Sequence, residues 1–518
     1  MKICPKCNKI MEDEAKFCSE CAGELMPIEE EATVEEIADE SDVQEEAATE
    51  QPTSVPTENS AAPAARGRSR LGMFLSMLLA VVAVAAMYIF YAELGFGGVI
   101  TQKEGQSTVF YEKNGQIYCA DKDTEYALTK DYPKELSGTV ALQDPFFGST
   151  VTELRFQASS DGKTVFFPDK EYDADNGSYS LYCMKLGDDA SRYKIANRVD
   201  RYFIVLDGSA VYYLDSEGKL YRDDFDKKTV IDNEVSSFLV FENEDRVVYL
   251  KGKDLYAFDS SGKTRKLAAA VDEIRANQES VGVYYRIGQR LYYDDLEKRT
   301  EIKGDAECIL ANAGEYLVYR NQSKKVCLVN KGVMTATLDC SEKASDVSFA
   351  DDLSAIYYAE YIVGADEAED ALLIFDLYCI PLKNGKPMAS ERAAFDAMLY
   401  DSCEVGVICF KPAGTGSEMY LDDTLLGTDV SGIASYRKKL AFISDCDSKG
   451  NGTLKTYDTE KTVTVAQDAV SCGYTAKGEL WYLSNVASAS GKGELYLYTG
   501  DGSVLISQDV SDFWIVEH

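Results

Sequence analysis

A chain of 518 residues with 45% hydrophobic side chains has room for more than one domain and for a large core. Its formal net charge of −35, from 53 basic and 88 acidic residues, argues against nucleic acid as a partner and against docking of a globular part on anionic lipid headgroups, because both need clustered Lys and Arg. The one histidine, His518, is the last residue; a frayed end is a poor place for a catalytic imidazole, so Ser–His–Asp, Cys–His and histidine-rich metal catalysis are set aside.

The first predicted element, residues 1–23, carries Cys4-Pro5-Lys6-Cys7 and Cys18-Ser19-Glu20-Cys21. Two C-x-x-C knuckles supply four thiolates for a tetrahedral ion, and four sulfurs close the coordination shell. The expectation is structural Zn2+ on Cys4, Cys7, Cys18 and Cys21, with Lys2, Lys6, Lys9 and Lys16 offsetting the surplus negative charge. A module this short has no adequate core, so metal binding is its folding energy, about 10–16 kcal/mol. The runs MKICPKCN and KFCSECAG, with Phe17 before the third cysteine, resemble the short zinc ribbons at the N-termini of many bacterial membrane-anchored proteins. Asn8 and Ala22 stand where that pattern has glycine. The resemblance implies a cytoplasmic module for protein contact, without catalysis.

Residues 24–70 are rich in Glu, Ala, Thr and Pro and end in Arg66, Arg68 and Arg70. With so few aromatics the segment cannot bury enough apolar surface to fold alone, and it is predicted to be a disordered acidic linker with a basic end. Residues 71–92, LGMFLSMLLAVVAVAAMYIFYA, carry no charge. As a helix they span roughly 33 Å at about 1.5 Å per residue, enough for a bilayer core. The three arginines precede this span, and Glu93, Lys103 and Glu104 follow it. The charge bias predicts a single-pass protein of the cell membrane with its N-terminus in the cytoplasm and residues beyond about 93 outside.

Residues 100–518 repeat one pattern: an apolar-aromatic strand, a turn with Gly or Asn, and a Leu-Tyr strand. The aligned aromatics are Tyr111, Phe167, Tyr213, Tyr249, Tyr285, Tyr319, Tyr358, Phe410, Phe442 and Tyr482. A period of about 40 residues with several short strands per copy predicts a mainly β fold, a β-propeller. Ten copies exceed the usual 4–8 blades, and the expectation is one ring of about eight blades, within a range of 7–10. The turns Asn114-Gly115, Glu217-Gly218 and Ser261-Gly262 fit hairpins, and weaker strands are expected at 237–242 and 275–278. Long hairpin tips at residues 169–180 and 360–371 are the first candidates for binding loops. SSDGKTVFF from Ser159 and KLYRDD from Lys219 resemble TolB-like and YWTD-type propellers. That resemblance implies the fold, with protein or glycan binding as its usual role.

Of the 14 cysteines, four precede the apolar segment and ten follow it. Cys119, Cys183 and Cys379 recur at one position of the repeat, too far apart in a propeller to bridge, and most of the ten are read as small strand residues; Cys403 and Cys409 are a locally feasible pair. The repeated tyrosines are read as cross-strand packing rather than sugar platforms. DCDSKGNG from Asp445 has a lysine where a calcium ligand is wanted and no closing Glu. There is no P-loop, no G-x-S-x-G and no dinucleotide fingerprint. The expectation is a non-enzymatic membrane protein with a cytoplasmic zinc ribbon and a propeller outside that binds protein or glycan as a sensor or envelope scaffold. The alternative is an extracellular carboxylate-dependent glycoside hydrolase, which needs no histidine and would show two carboxylates at the bottom of a pocket.

Overall fold

The computed structural model describes residues 2–3, 10–11 and 26–27, and residues 106–518 except 121–123, 131, 134, 188–190, 242, 363–373 and 414–415. The chain divides into two units, Met1–Arg68 and Ser69–His518. In the first, the strands Lys2–Ile3, Ile10–Met11 and Met26–Pro27 form an antiparallel sheet with Lys2–Ile3 in the middle. In the second, every regular element among the described residues is a strand. No helix among the described residues is long and apolar enough to cross a membrane, and residues 71–92 lie outside them.

Among the described residues the repeats build ten four-stranded antiparallel sheets, more than the central expectation of eight and at the upper end of the 7–10 range. Several are merged because one long strand serves two sheets. Ser191–Ile204 is the fourth strand of sheet 2 up to Val199 and the first strand of sheet 3 beyond it. Arg299–Ala313 joins sheets 5 and 6 in the same way, and Thr462–Tyr474 joins sheets 9 and 10. Ser503–Glu517 ends sheet 10 and then opens sheet 1 by pairing with Ser107–Lys113. Each of these strands turns at a residue with positive φ: Arg198, Gly304, Asp468 and Asp509. A left-handed residue bends the ribbon without breaking its pairing on either side. The first strands of the other sheets are Gln157–Ala158 (sheet 2), Ser237–Val240 (4), Glu273–Arg275 (5), Ser345–Phe349 (7), Leu399–Cys403 (8) and Gly432–Tyr436 (9). The strand expected at 275–278 therefore ends where it was read to begin.

The ten aligned aromatics all lie on second strands and all are buried. They fill the contacts between sheets. Tyr212 meets Tyr249 in the cluster between sheets 3 and 4, Val318 meets Tyr358 between 6 and 7, and Phe410 meets Phe442 between 8 and 9. Sheet 10 reaches sheet 1 through Trp481 and Tyr111, so the succession of apolar clusters closes on itself. A single four-stranded sheet cannot bury both faces alone, and closure gives each face a partner. Seven of the aromatics stack on a tyrosine of the third strand, as in Tyr213–Tyr221 at 4.9 Å and Tyr358–Tyr378 at 5.1 Å. In several sheets a cation from the fourth strand covers that tyrosine: Arg192 on Tyr182, Lys228 on Tyr221 and Arg299 on Tyr292. The tyrosines are packing elements, as the sequence reading has it. Asn114 and Gly115 both take positive φ, the backbone of a two-residue hairpin turn.

His518 is not frayed. Its backbone exchanges two hydrogen bonds with Gln106, and its Nε2 lies 3.0 Å from the Thr108 hydroxyl. All ten described cysteines are free, including Cys403 and Cys409.

Candidate functional site

Between sheets 1 and 2 the chain makes an extra hairpin, Thr139–Asp144 paired with Ser149–Leu154. The repeat pattern gives no hint of it. The hairpin leaves sheet 1 at Gly138, where the absence of a side chain lets the Trp514 indole pack on the backbone. Its tip turns through an Asx contact, the Phe146 N–H donating to Asp144 Oδ1 at 2.7 Å. Phe146 is fully buried in the cluster of sheets 4 and 5 beside Leu239, Phe241 and Ile274. The Ala276 N–H donates to the Phe146 carbonyl at 3.0 Å. The hairpin thus crosses the first strands from sheet 1 to sheet 5.

Arg201, on the first strand of sheet 3, fixes the middle of the crossing. Its Nε donates to Glu153 Oε2 at 2.9 Å, its Nη2 pairs with the other Glu153 oxygen, and its Nη1 pairs with Asp144. The guanidinium also lies 4.6 Å from the centroid of the Phe203 ring. Burial works against the charge, but Glu153 and Asp144 outweigh it and raise the Arg201 pKa. Burial also pushes the Glu153 carboxyl up, opposed by Arg201. Two acids around one bidentate arginine make a buried charge affordable.

Beside this clamp the hairpin, sheet 2 and sheet 3 enclose a cleft of about 250 Å3. Val140, Leu142 and Leu154 form an apolar wall, the clamp residues Glu153 and Arg201 close one side, and Arg155, Tyr179, Asp200 and Tyr202 line the rest, with Asn176 and Gly177 at the rim. The expected binding loop at 169–180 is the extended hairpin Thr164–Asp173 and Ser178–Lys185, and its tip reaches this rim. Tyr202 donates its hydroxyl between the carbonyls of Arg155 and Phe166, at 2.9 and 3.0 Å, which fixes the ring. The Arg155 guanidinium lies 5.3 Å from the centroid of the buried Tyr179 ring. Its Nε is buried and has no hydrogen-bond partner. Most of the other expected loop, residues 363–371, lies outside the described residues.

A second acidic feature sits at the junction of sheets 7 and 8. Asp351 is in the turn after Ser345–Phe349, and Asp401 is on Leu399–Cys403. Burial pushes Asp351 up to about 7, helped by the charges of Asp401, Asp352 and Glu404. Burial also pushes Asp401 up to about 6, against the Ser402 N–H that bonds it at 2.8 Å.

Among the described residues no group of three or more His, Cys, Asp or Glu is placed to hold a metal ion. The turn at Asp447 uses its own carboxylate, which accepts the N–H groups of Lys449 and Asn451 at 2.8 and 3.0 Å. Cys4, Cys7, Cys18 and Cys21 lie outside the described residues. The His518–Thr108 contact makes no catalytic pair with an orienting acid, since His518 Nδ1 has no hydrogen-bond partner and burial lowers the ring's pKa.

No protein-family model matches the chain, and no curated protein matches it. Solved structures with similar strand arrangement include the tricorn protease, at TM-score 0.27 and 12% identity over 79% of this chain and 47% of that one. The acylaminoacyl peptidase of Pyrococcus horikoshii gives TM-score 0.30 and 13% identity over 67% and 51%. A chain of the mitotic checkpoint complex gives 0.27 and 11% over 54% and 86%. The chain spans about half the length of the two peptidases. The expectation of a non-enzyme is corrected: lack of a usable histidine is no ground for excluding turnover, and two of these neighbours are peptidases by name. At these scores neither their residues nor their activity transfers to this chain.

Proposed function

We propose that the chain is a single-pass membrane protein whose β-propeller-like domain binds a small polar ligand, part of a glycan or of a protein, in the cleft beneath the crossing hairpin. The observation that carries this reading is the cleft itself: an apolar wall with two guanidiniums, two acids and two tyrosines converging on one space. Purified full-length chain tests it, by thermal shift against monosaccharides and dipeptides. Val140→Trp, which fills the cleft, should abolish any shift found with the unaltered chain; a shift that survives refutes the site.

The anchor and the zinc module belong to the same proposal. The arginines at 66, 68 and 70 before an uncharged run favour a cytoplasmic N-terminus and a propeller outside. In the N-terminal sheet, Ile3 pairs with both Ile10 and Met26. Support for one Zn2+ shared by Cys4, Cys7, Cys18 and Cys21 comes from their two C-x-x-C spacings. Elemental analysis should give about one zinc per chain, lost in Cys18→Ser.

A second reading is carboxylate-dependent glycoside hydrolysis at Asp351 and Asp401. A pair held at about 7 and about 6 carries a proton near neutrality and could give it to a leaving oxygen. Release of nitrophenol from aryl glycosides, abolished by Asp351→Asn and by Asp401→Asn, would favour it over binding alone.

A further inference from the structure

We infer that the cleft takes a ligand bearing a carboxylate, seated on Arg155. The inference rests on the cleft being a ligand site.

Two guanidiniums flank the cleft, and they differ. Arg201 is saturated by Glu153 and Asp144. Arg155 makes no ion pair within 4.0 Å among the described residues, and its Nε is buried without an acceptor. Tyr132, whose hydroxyl feels the charge of Arg155, is also buried and also lacks a partner. Both of these atoms are closed to solvent and Tyr132 is not on the cleft wall, so a ligand in the cleft meets the rest of the Arg155 guanidinium, which lines the space without an opposite charge to pair it. A carboxylate matches the planar fork of a guanidinium with two parallel bonds. Asp200 is the natural competitor, but it is exposed at the mouth and forms no ion pair with Arg155. It would repel an anion that stops short of Arg155 and would accept an O–H or N–H from the ligand's other end.

Size narrows the class. A cleft of about 250 Å3 is below the roughly 300–1,000 Å3 of sites for drug-sized ligands, so it suits one sugar ring or a dipeptide. A sugar acid and a peptide C-terminus both present a carboxylate beside hydrogen-bonding groups and a small apolar face.

The test uses purified full-length chain and two matched pairs of probes: D-glucuronate against D-glucose, and the dipeptide Ala-Leu against its C-terminal amide. Titration calorimetry should show the acid of at least one pair binding at least tenfold more tightly than its neutral counterpart. The pair that responds names the source. Arg155→Met should lower that affinity at least tenfold. Asp200→Asn should raise it severalfold, and a variant that merely damaged the fold would not raise it. Equal binding of acid and neutral probe, abolished by Val140→Trp, overturns the carboxylate and leaves the cleft standing. If no probe binds, or if binding ignores both Val140→Trp and Arg155→Met, both readings fall.

Discussion

Two sites of the ring withdraw charge from water in opposite ways. At sheet 3, Arg201 is enclosed by Glu153 and Asp144, and each charge has an opposite partner within ion-pair distance. At the junction of sheets 7 and 8, burial without a cation, helped by the like charges of Asp401, Asp352 and Glu404, holds the Asp351 proton on to about 7. The first arrangement is a clamp: it ties the crossing hairpin to the ring and is stable at neutral pH because it is paired. The second is a proton store that weakens the fold when it empties. Buried charge alone therefore does not distinguish a structural contact from a reactive one; the presence or absence of an opposite partner does.

The largest effect is expected from breaking the clamp. Arg201→Met leaves Glu153 and Asp144 without a cation and should cost about 3–5 kcal/mol, read as a lower denaturant midpoint. A triple change that also replaces both acids by neutral, similarly shaped residues should recover most of the loss, because no charge is then stranded.

The acidic junction should respond with the opposite sign. Asp351 has a folded pKa above its unfolded value, so the folded state binds more protons and stability falls as pH rises from about 4 to about 7. Asp351→Asn should flatten that slope and stabilise the protein at pH 8 by about 2–3 kcal/mol. An unchanged pH profile would show that this carboxyl is solvated.

Smaller losses should come from regions that carry no buried charge. Tyr249→Leu removes a fully buried ring stacked 5.3 Å from Tyr256 and bonded to Asp232, and should cost about 2 kcal/mol. Asn114→Ala places an ordinary side chain at φ 54° in the first hairpin and should cost about 1 kcal/mol, in the same melting assay.

What could be read from the sequence follows from periodicity. The aromatic column is visible because each copy must fill the same space between sheets, and each of its members lies on a second strand. The expectation of about eight sheets followed the usual blade number, whereas each of the ten copies forms a sheet, at the top of the 7–10 range; strands such as Ser503–Glu517 serve two sheets, so some neighbouring copies share chain. The tip at 169–180 was legible as an over-long hairpin. The rest of the cleft was not. The crossing hairpin interrupts the repeat, so it reads as a spacer between copies. Arg201 and Glu153 are 48 positions apart, and no local pattern joins them. Nothing around Arg155 in sequence shows that its Nε lacks an acceptor, since that depends on how Tyr179 and the hairpin pack. His518 looked loose because it is terminal; the ladder with Gln106 holds it.

The central claim is that the space under the crossing hairpin receives the ligand. Hydrogen–deuterium exchange of the full-length chain, with and without saturating D-glucuronate or Ala-Leu, tests it most directly. Slowed exchange confined to residues 139–155, 176–179 and 200–202 is the predicted result. Slowing at residues 346–351 and 399–404 instead, or no slowing anywhere, would contradict it.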